Sequence, residues 1–347
     1  MTRIARPATL IAALLLSTGL AHAEDITFVT FSGYYPPQLF DEFEKATGIH
    51  VNLVEVATNE ETMGRMVASN GAGFDVMIVS SPFVTALENL GMLAEVDHDK
   101  IPNLKNLYDE AFNLPYDPGL KLSVPYAWGT FGLCYRKDLV SPAPTSWADL
   151  LQPSDAIKGK YTMVPDERWF MEPAQKLLGK SINDVSEETL AAIRPLLESG
   201  KKDVLTFDGF TQGSRLISGE SVMASTWEAW CNMAARDGGD VDYVVPKEGG
   251  DTWVDTFVIP KATEHKEAAE TFIDFVLRPE VHSWLITELL YKVPNKAAME
   301  SVDPEFYKKY PAYRYTAADL GKNEILMDLG ADAPRVSKFV TEVMAAQ

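Results

Sequence analysis

The sequence is poor in the residues that most catalytic and metal-binding sites need. Its 347 residues include two cysteines, Cys134 and Cys231, and five scattered histidines, none at the spacing of zinc ligands. It also lacks the G-x-S-x-G, H-E-x-x-H, P-loop and G-x-G-x-x-G patterns. We therefore predict a protein that is not an enzyme and that uses no metal or organic cofactor. The two cysteines can form one disulfide or lie buried as small apolar side chains, and their spacing does not decide between these alternatives.

Positive charge is scarce as well. Lys and Arg number 31 against 50 Asp and Glu, which gives a formal net charge of −19. A field of this sign repels nucleic acid and anionic lipid and attracts cations. The charge therefore argues against a nucleic-acid or phosphate ligand and mildly favours a cationic one, although most single acids are expected to lie on solvated helix faces.

Long apolar runs are missing except near the N-terminus. Arg3 and Arg6 precede an apolar run over 8–16, and small residues then lead to Ala21-His22-Ala23. This order is typical of a secretory signal peptide, and the run is shorter than the roughly 20 residues that span a membrane. We predict cleavage after Ala23 and export, with an uncleaved anchor helix as the alternative. No cysteine follows the run, so a lipid anchor is not indicated.

The rest of the chain alternates between strand and helix patterns, which indicates an α/β fold. Short apolar runs that are typical of strands lie at 26–31, 49–56 and 74–79. The chain is longer than one core usually organises, so two lobes are expected. The apolar segments at 125–135 and 245–260 are predicted to cross between the lobes. The lobe boundaries are predicted as 24–128 with 254–300 for lobe 1, and 129–253 with 301–347 for lobe 2.

Three local features near the expected strand ends also carry predictions. Asn59 is expected to cap a helix over 60–68. Ser80-Ser81-Pro82 is expected to form a loop after a buried strand, which is where ligands bind in open α/β sheets. Asp166-Glu167, judged from its own neighbours, is expected to lie in a solvated loop with nothing nearby to shift a pKa.

The segment predicted as the second crossing strand contains an unusual pair. Trp253 and Asp255 stand two residues apart in an apolar run closed by Pro260, so their side chains point to the same face of a strand. A carboxylate on an apolar strand needs a partner, and one beside an indole suits an ammonium ion. The pair therefore predicts a cation site. A core tryptophan beside an aspartate that starts a turn or bonds the backbone is the alternative.

Many short motifs in the same order resemble the periplasmic spermidine/putrescine-binding proteins of ABC transporters. The resemblance covers essentially all of the chain after the signal peptide. Its motifs include Phe31-Ser32-Gly33-Tyr34-Tyr35-Pro36-Pro37, Asn59-Glu60-Glu61-Thr62-Met63, Gly73-Phe74-Asp75-Val76, Pro125-Tyr126-Ala127-Trp128-Gly129, Thr145-Ser146-Trp147-Ala148-Asp149-Leu150 and Pro246-Lys247-Glu248-Gly249-Gly250. The resemblance implies a two-lobed periplasmic binding protein fold of type II, with two crossing strands and a ligand clamped in the cleft between the lobes.

The resemblance also implies which residues contact the ligand, when it is carried over one residue at a time. Aromatic side chains would form walls around the ligand, and Asp255 and Asp166 would accept its ammonium protons. The expected ligand-binding residues are Phe31, Ser32, Tyr34, Ser80, Asp166, Trp169, Trp227, Trp253 and Asp255.

The sequence departs from the family pattern at several of these positions. Gly33 and Trp169 stand where the polyamine binders carry acids, Phe31 replaces a tryptophan, and a glutamine near Leu326 is absent. Each missing acid removes a charge-assisted hydrogen bond of about 1.5–3 kcal/mol. We therefore expect a shorter amine held at one cationic end, such as putrescine, rather than spermidine. Arg168 is a candidate partner for a ligand carboxylate, with a solvated surface turn as the alternative.

The predicted function is the periplasmic solute-binding component of an ABC transporter for polyamines or a related small amine. The expected partners are that amine and the membrane permease, and the expected assembly state is a monomer. A binding protein for a 4-aminobutyrate-like amino acid or a quaternary amine and a chemosensory amine receptor remain open. A ferric-iron binder is disfavoured because Tyr34 and Tyr35 are adjacent and face opposite ways on an extended chain.

Overall fold

The computed structural model describes residues 25–346, so the predicted signal peptide lies outside the described residues. Its strands are β1 (Asp25–Phe31), β2 (His50–Val56), β3 (Val76–Ser80), β4 (Ser123–Arg136), β5 (Tyr161–Met163), β6 (Thr206–Phe207), β7 (Met223–Trp227), β8 (Val241–Val244) and β9 (Thr252–Val258). They form one sheet in the order β2-β1-β3-β9-β4-β7-β5-β6, with β8 paired to β4.

The strands alternate along the chain with helices. These are α1 (Leu39–Thr47), α2 (Asn59–Ser69), α3 (Ser81–Asn89), α4 (Ala148–Leu151), α5 (Glu167–Leu177), α6 (Glu187–Gly200), α7 (Gln212–Ser218), α8 (Glu228–Arg236), α9 (Lys266–Val276), α10 (Pro279–Leu289), α11 (Lys296–Ser301), α12 (Pro304–Tyr307), α13 (Ala317–Leu320) and α14 (Ala333–Ala345). The expected α/β fold is confirmed. Among residues 25–346, no helix combines the length and apolar character that crossing a bilayer requires.

The sheet has a parallel part at each end and an antiparallel centre. β1 pairs in parallel with β2 and β3, and β5 pairs in parallel with β6 and β7. At the centre, β9 runs antiparallel to both β3 and β4, and β4 runs antiparallel to β7 and β8. The carboxyl ends of the parallel strands in each part therefore lie at a common edge, where ligands bind in sheets of this kind.

Strand β4 connects the two parts of the sheet. Its first half, from Ser123 to Thr130, pairs with β9, whereas its second half, from Phe131 to Arg136, pairs with β7 and β8. A strand of 14 residues is long enough to serve both parts, and it is buried along almost its whole length. The predicted crossing at 125–135 is therefore found as β4. The segment predicted as the second crossing contains β9, which pairs only with β3 and the first half of β4, so the chain passes between the two parts before β9, after β8 has ended at Val244.

The buried apolar side chains divide between the two parts of the sheet. One large cluster takes in residues between Ile26 and Trp128 and, after a long gap, further residues from Trp253 onward. A second cluster takes in residues between Phe131 and Met223 and, from the C-terminal helix, residues between Val336 and Val343. The change from one cluster to the other falls within β4, between Trp128 and Phe131.

Two of the local predictions are wrong at element boundaries. The N-cap of α2 is Thr58, whose side chain accepts from the Glu61 backbone N–H, and Asn59 is already the first helical residue. The segment 80–82 does not form a loop, because α3 begins at Ser81 directly after β3 and Pro82 fits its first turn. This immediate helix start holds Ser80 rigidly at the end of the strand.

The two cysteines form a disulfide. Cys134 lies in β4 and Cys231 in α8, and their Cα atoms are 5.6 Å apart. The sequence left this pairing open, and the fold decides it because α8 packs directly on β4 and β8. The bond joins segments that are 97 residues apart in the chain.

Candidate ligand-binding site

The centre of the candidate site is the carboxylate of Asp255, in the middle of β9. Tyr34 donates a hydrogen bond to its Oδ2 at 2.8 Å, and Ser80 donates one from Oγ to its Oδ1 at 2.6 Å. Ser80 is the direct cross-strand neighbour of Asp255 between β3 and β9, and Tyr34 lies in the loop after β1. The side chains that meet here therefore come from the loop after β1, the end of β3 and the middle of β9, and these three strands are adjacent in the sheet.

Asp255 has no cationic partner within the described part of the chain. Burial raises the pKa of its carboxyl group, and the hydrogen bonds from Ser80 and Tyr34 partly oppose that rise. Burial and the negative charge of Asp255 in turn hold the pKa of Tyr34 well above its usual value, so its hydroxyl stays a donor. A carboxylate has about four acceptor positions. The site is thus an incompletely solvated anion with acceptor capacity left for a cation.

Aromatic rings surround this carboxylate on the side of β1 and β9. Tyr34 packs edge-on against Tyr291 and Tyr126, with ring centroids at 4.8 Å and 5.4 Å, and Phe31 lies 5.8 Å from Tyr34. Trp253 meets Tyr291 at 6.1 Å. Three of the predicted aromatic residues therefore lie near Asp255 together with Tyr126 and Tyr291, which the sequence did not indicate, and their contact with a ligand stays a prediction.

Ser80 is held in place by a residue from the start of α2. The side-chain oxygen of Asn59 accepts from the Ser80 backbone N–H at 2.9 Å, and its Nδ2 donates to Ser80 Oγ at 3.0 Å. This leaves the Ser80 hydroxyl proton for Asp255. Asn59, expected as a helix cap, instead supports a residue of the candidate site.

Two tryptophans lie on the side of the site formed by α5 and β7. Trp169 and Trp227 pack edge-on with centroids 4.9 Å apart, and Phe131 of β4 contacts both rings. Both indoles are partly buried and touch both hydrophobic clusters. They therefore stand where these two clusters meet, and their contact with a ligand stays a prediction.

Asp251 is a residue of this region that the sequence analysis missed. Its carboxylate accepts from Trp169 Nε1 at 2.9 Å and from the Leu326 backbone N–H at 3.3 Å. Burial raises its pKa to about 7, and its backbone N–H donates to Glu172 at 2.8 Å. Asp251 is four residues before Asp255, so the period of two that singled out Trp253 also places Asp251 on that face. The signal was present in the sequence.

Asp166 lies in an exposed position before α5, as predicted, but the expectation that nothing shifts its pKa is wrong. It is the N-cap of α5 and accepts from the Arg168 backbone N–H. Partial desolvation by the surrounding protein raises its pKa to about 6. The charges of Glu60, at the start of α2, and Glu167 contribute to the rise. Asp166 is thus within electrostatic reach of the opposite part of the molecule.

Two other candidates are not brought to Asp255. Ser32 is exposed, and its hydroxyl hydrogen-bonds Glu55 instead. Arg168 is neither solvated nor free for a ligand carboxylate, because it donates to the carbonyl oxygens of Met327 and Ile182 and to Asn183. Both departures have the same cause, since each side chain finds closer protein acceptors than the sequence could reveal.

A second buried carboxylate near the site is neutralised within the protein. Glu228 and Lys292 form an ion pair at 3.0 Å with both side chains almost fully buried. Thr130 adds two hydrogen bonds to Glu228, from its backbone N–H and from Oγ1. The Thr130 carbonyl accepts from Trp253 Nε1 at 3.3 Å. Trp253 is consequently fixed by β4, and it is packed closely beside the site.

The sequence of the chain is similar to those of known binding proteins. Residues 38–315 match the sequence profile of the bacterial extracellular solute-binding proteins. The spermidine/putrescine-binding periplasmic protein of Escherichia coli K12 is 30% identical over 339 residues, covering 96% of this chain and 97% of that protein. A putrescine/cadaverine-binding protein of Pseudomonas aeruginosa is 27% identical over 355 residues, covering 99% of each chain.

The fold has a close counterpart among solved structures. The substrate-binding protein PotD of a spermidine/putrescine ABC transporter from Streptococcus pneumoniae superposes with a TM-score of 0.83 at 24% identity, covering 92% of this chain and 98% of that one. This likeness confirms the two-lobed periplasmic binding protein fold.

Proposed function

Because the chain belongs to the bacterial extracellular solute-binding protein family, we propose that it is the solute-binding component of an ABC transporter for a small amine of the putrescine type. The observation that carries the proposal is Asp255, a desolvated carboxylate with two neutral donors and no cationic partner in residues 25–346. A ligand ammonium would supply the missing charge. The names of the relatives, which bind spermidine, putrescine or cadaverine, support the same ligand class.

In the proposed complex, the ammonium donates to the acceptor positions of Asp255 that Tyr34 and Ser80 leave free. Each charge-assisted hydrogen bond contributes about 1.5–3 kcal/mol. Tyr34, Trp227 and the neighbouring rings cover the alkyl chain, and cation–π contacts add roughly 0.5–2 kcal/mol each where the cation faces a ring. Asp166, from the other lobe, is the candidate partner for a second amino group.

The site favours amines over amino acids. A ligand carboxylate needs a cation with N–H groups to donate, but the two terminal nitrogens of Arg168 donate to two carbonyl oxygens and to Asn183. These acceptors are neutral, so an amino acid could bind here only by replacing them. Lys292 is likewise occupied by Glu228 and the Ala312 carbonyl oxygen. We therefore place putrescine-like amines ahead of 4-aminobutyrate-like ligands for this chain.

The cellular setting is part of the proposal. Export through the predicted signal peptide would put the protein in the periplasm, where closing of the lobes on a ligand would present a surface to the membrane permease. We keep the lobe boundaries at 24–128 with 254–300 and 129–253 with 301–347, and the division of the apolar clusters within β4 supports the first boundary. We also propose that the protein acts as a monomer.

The Asp255→Asn variant tests the proposed function. It keeps the shape of the side chain and removes its charge, so putrescine affinity measured by calorimetry should fall by about 100-fold or more, the equivalent of roughly 3 kcal/mol. Asp41→Asn, the same change at an exposed position on α1, is the matched control and should leave the affinity unchanged. Undiminished affinity in Asp255→Asn refutes the assigned role.

A thermal-shift panel separates the remaining ligand classes in the wild-type protein. Putrescine, cadaverine, spermidine, 4-aminobutyrate and choline are compared, since a ligand at 100 times its Kd stabilises by about 2.7 kcal/mol. The proposal expects the diamines to give the largest shifts and 4-aminobutyrate little. A response to 4-aminobutyrate alone would replace the amine assignment with an amino-acid one.

A further inference from the structure

A groove lies on the face of the crossing strands opposite to the candidate site. Two adjoining cavities, each of about 330 Å³, share Glu110, Trp128 and Ala317 in their walls. One continues along Thr252 and the segment 320–327, and the other along Tyr108 and Tyr313. Volumes of this size suit small organic ligands.

The strand register shows that this groove is distinct from the Asp255 site. Between β4 and β9, Gly129 pairs with Trp253, whereas Trp128 pairs with Val254. Successive side chains of a strand point to opposite faces, and directly paired residues share a face. Trp128 therefore points away from the face that carries Trp253 and Asp255.

The groove offers an anion and aromatic rings. The carboxylate of Glu110 has no hydrogen-bond or ion-pair partner among the described residues. Tyr108 stacks on Trp128 with centroids 5.8 Å apart, and both rings line the same cavity as Glu110. Carboxylates next to aromatic faces attract organic cations through charge and through the ring quadrupole.

The other polar groups of the groove do not provide a cation for Glu110. Lys292, the cation in the wall, is committed to Glu228 at 3.0 Å and does not neutralise Glu110. Trp128 Nε1 is buried and lacks a hydrogen-bond partner in the described part of the chain. An ammonium ion has no acceptor for this N–H, so it is the unpaired carboxylate of Glu110 and the ring faces that favour a cation here.

We propose that this groove is a second binding site, for a small organic ammonium ion held between Glu110 and the stacked rings of Tyr108 and Trp128. It is separate from the cleft and does not depend on the function proposed for Asp255. Glu110 is at the surface, so binding there should be weaker than in the cleft and should weaken further with salt.

The test follows the indole N–H signal of Trp128 by NMR while n-butylammonium is added, with Trp128→Phe used to assign the signal. The titration is run on wild type and on Asp255→Asn, so that binding in the cleft is separated from binding in the groove. The Trp128 signal should shift saturably in both. n-Butanol, which has the same chain without the charge, should not reproduce the shift.

Charge variants identify the anion. Glu110→Gln should weaken the titration of the Trp128 signal by about fivefold or more. The matched control is Asp109→Asn, which removes the same charge from a neighbouring residue that lines neither cavity, and it should change the titration by less than about twofold. An unmoved Trp128 signal in both proteins, or a titration that is unchanged in Glu110→Gln, overturns the proposal. Loss of amine binding in the cleft alone bears only on the function proposed above.

Discussion

Two carboxylates near the crossing strands, the partly buried Asp255 and the buried Glu228, differ in what the protein provides for them. Glu228 receives Lys292 at 3.0 Å together with two hydrogen bonds from Thr130. Asp255 receives only the neutral hydroxyl groups of Tyr34 and Ser80. Ionised groups are rarely buried without a partner of opposite charge. Glu228 has such a partner within the fold, and Asp255 does not.

The difference is the reason why we propose a structural role for Glu228 and a ligand-binding role for Asp255. A buried ion pair holds segments together, because Lys292 follows α10 and Glu228 begins α8. Asp255 joins adjacent strands only through its two donors and keeps acceptor positions free. Both acids are at least partly buried, so burial does not distinguish them. The absence of an internal cation beside Asp255 is the better indication that it could bind a ligand cation.

Breaking the internal pair is expected to have the largest effect. Lys292→Met leaves Glu228 buried without its cation, and the free energy of unfolding should fall by about 3–5 kcal/mol. Urea denaturation of the ligand-free protein measures this loss. A loss below about 1 kcal/mol would mean that Glu228 does not depend on Lys292 and that the contrast with Asp255 does not hold.

The double variant Lys292→Met with Glu228→Gln is the control for that experiment. It removes the unpaired charge but keeps a side chain that can accept from Thr130, so much of the lost stability should return. If the double variant is as unstable as the single one, the cost arises from lost packing of Lys292 and not from the stranded carboxylate.

The sequence alone could single out Asp255, but it could not show that Lys292 pairs with Glu228. The alternation of Trp253 and Asp255 within a strand singled out the acid that we propose to bind the ligand, because side chains two residues apart in one strand share a face. Asp251 follows the same rule and was overlooked, although nothing but the sequence was needed to see it. Elements with a regular period are thus well predicted, including the residues that they aim at the site.

Contacts between distant segments could not be predicted in this way. Tyr291 and Lys292 are adjacent residues after α10, and one extends the aromatic wall while the other neutralises Glu228. Arg168 was expected in solvent or at a ligand, yet it bonds a carbonyl oxygen of Met327. These roles depend on where loops far apart in sequence come together, which periodicity does not encode.

The affinity for putrescine is expected to depend on pH, with a change of about tenfold. Burial raises the pKa of Asp251 to about 7 and that of Asp166 to about 6. A cation in the cleft favours their ionised forms, so putrescine affinity should rise between about pH 5.5 and 7.5 and binding should release protons; each unit of pKa shift corresponds to about 1.4 kcal/mol. Calorimetry in buffers of different ionisation enthalpy measures both quantities.

The ligand-free protein should show the opposite trend over the same range. In the folded state these two acids bind protons more tightly than in the unfolded state, where aspartate titrates near 3.9. Their contribution to the free energy of unfolding therefore falls as pH rises from about 4 to 7. Thermal unfolding with and without putrescine across this range should give diverging curves. Parallel curves would show that neither acid is coupled to the ligand.

The smallest expected effect is that of Trp169→Phe, which keeps an aromatic wall and removes the indole donor to Asp251. That hydrogen bond holds the pKa of Asp251 below the value that burial alone would give. Without it, the midpoint of the pH dependence should move upward and putrescine affinity at pH 7 should fall by about fivefold, or roughly 1 kcal/mol. Trp230→Phe, at a tryptophan that packs against the exposed Phe210, is the control and should change neither quantity. A lower affinity with an unmoved midpoint would assign Trp169 to packing alone, and Asp255 would then remain as the acid on which amine binding depends.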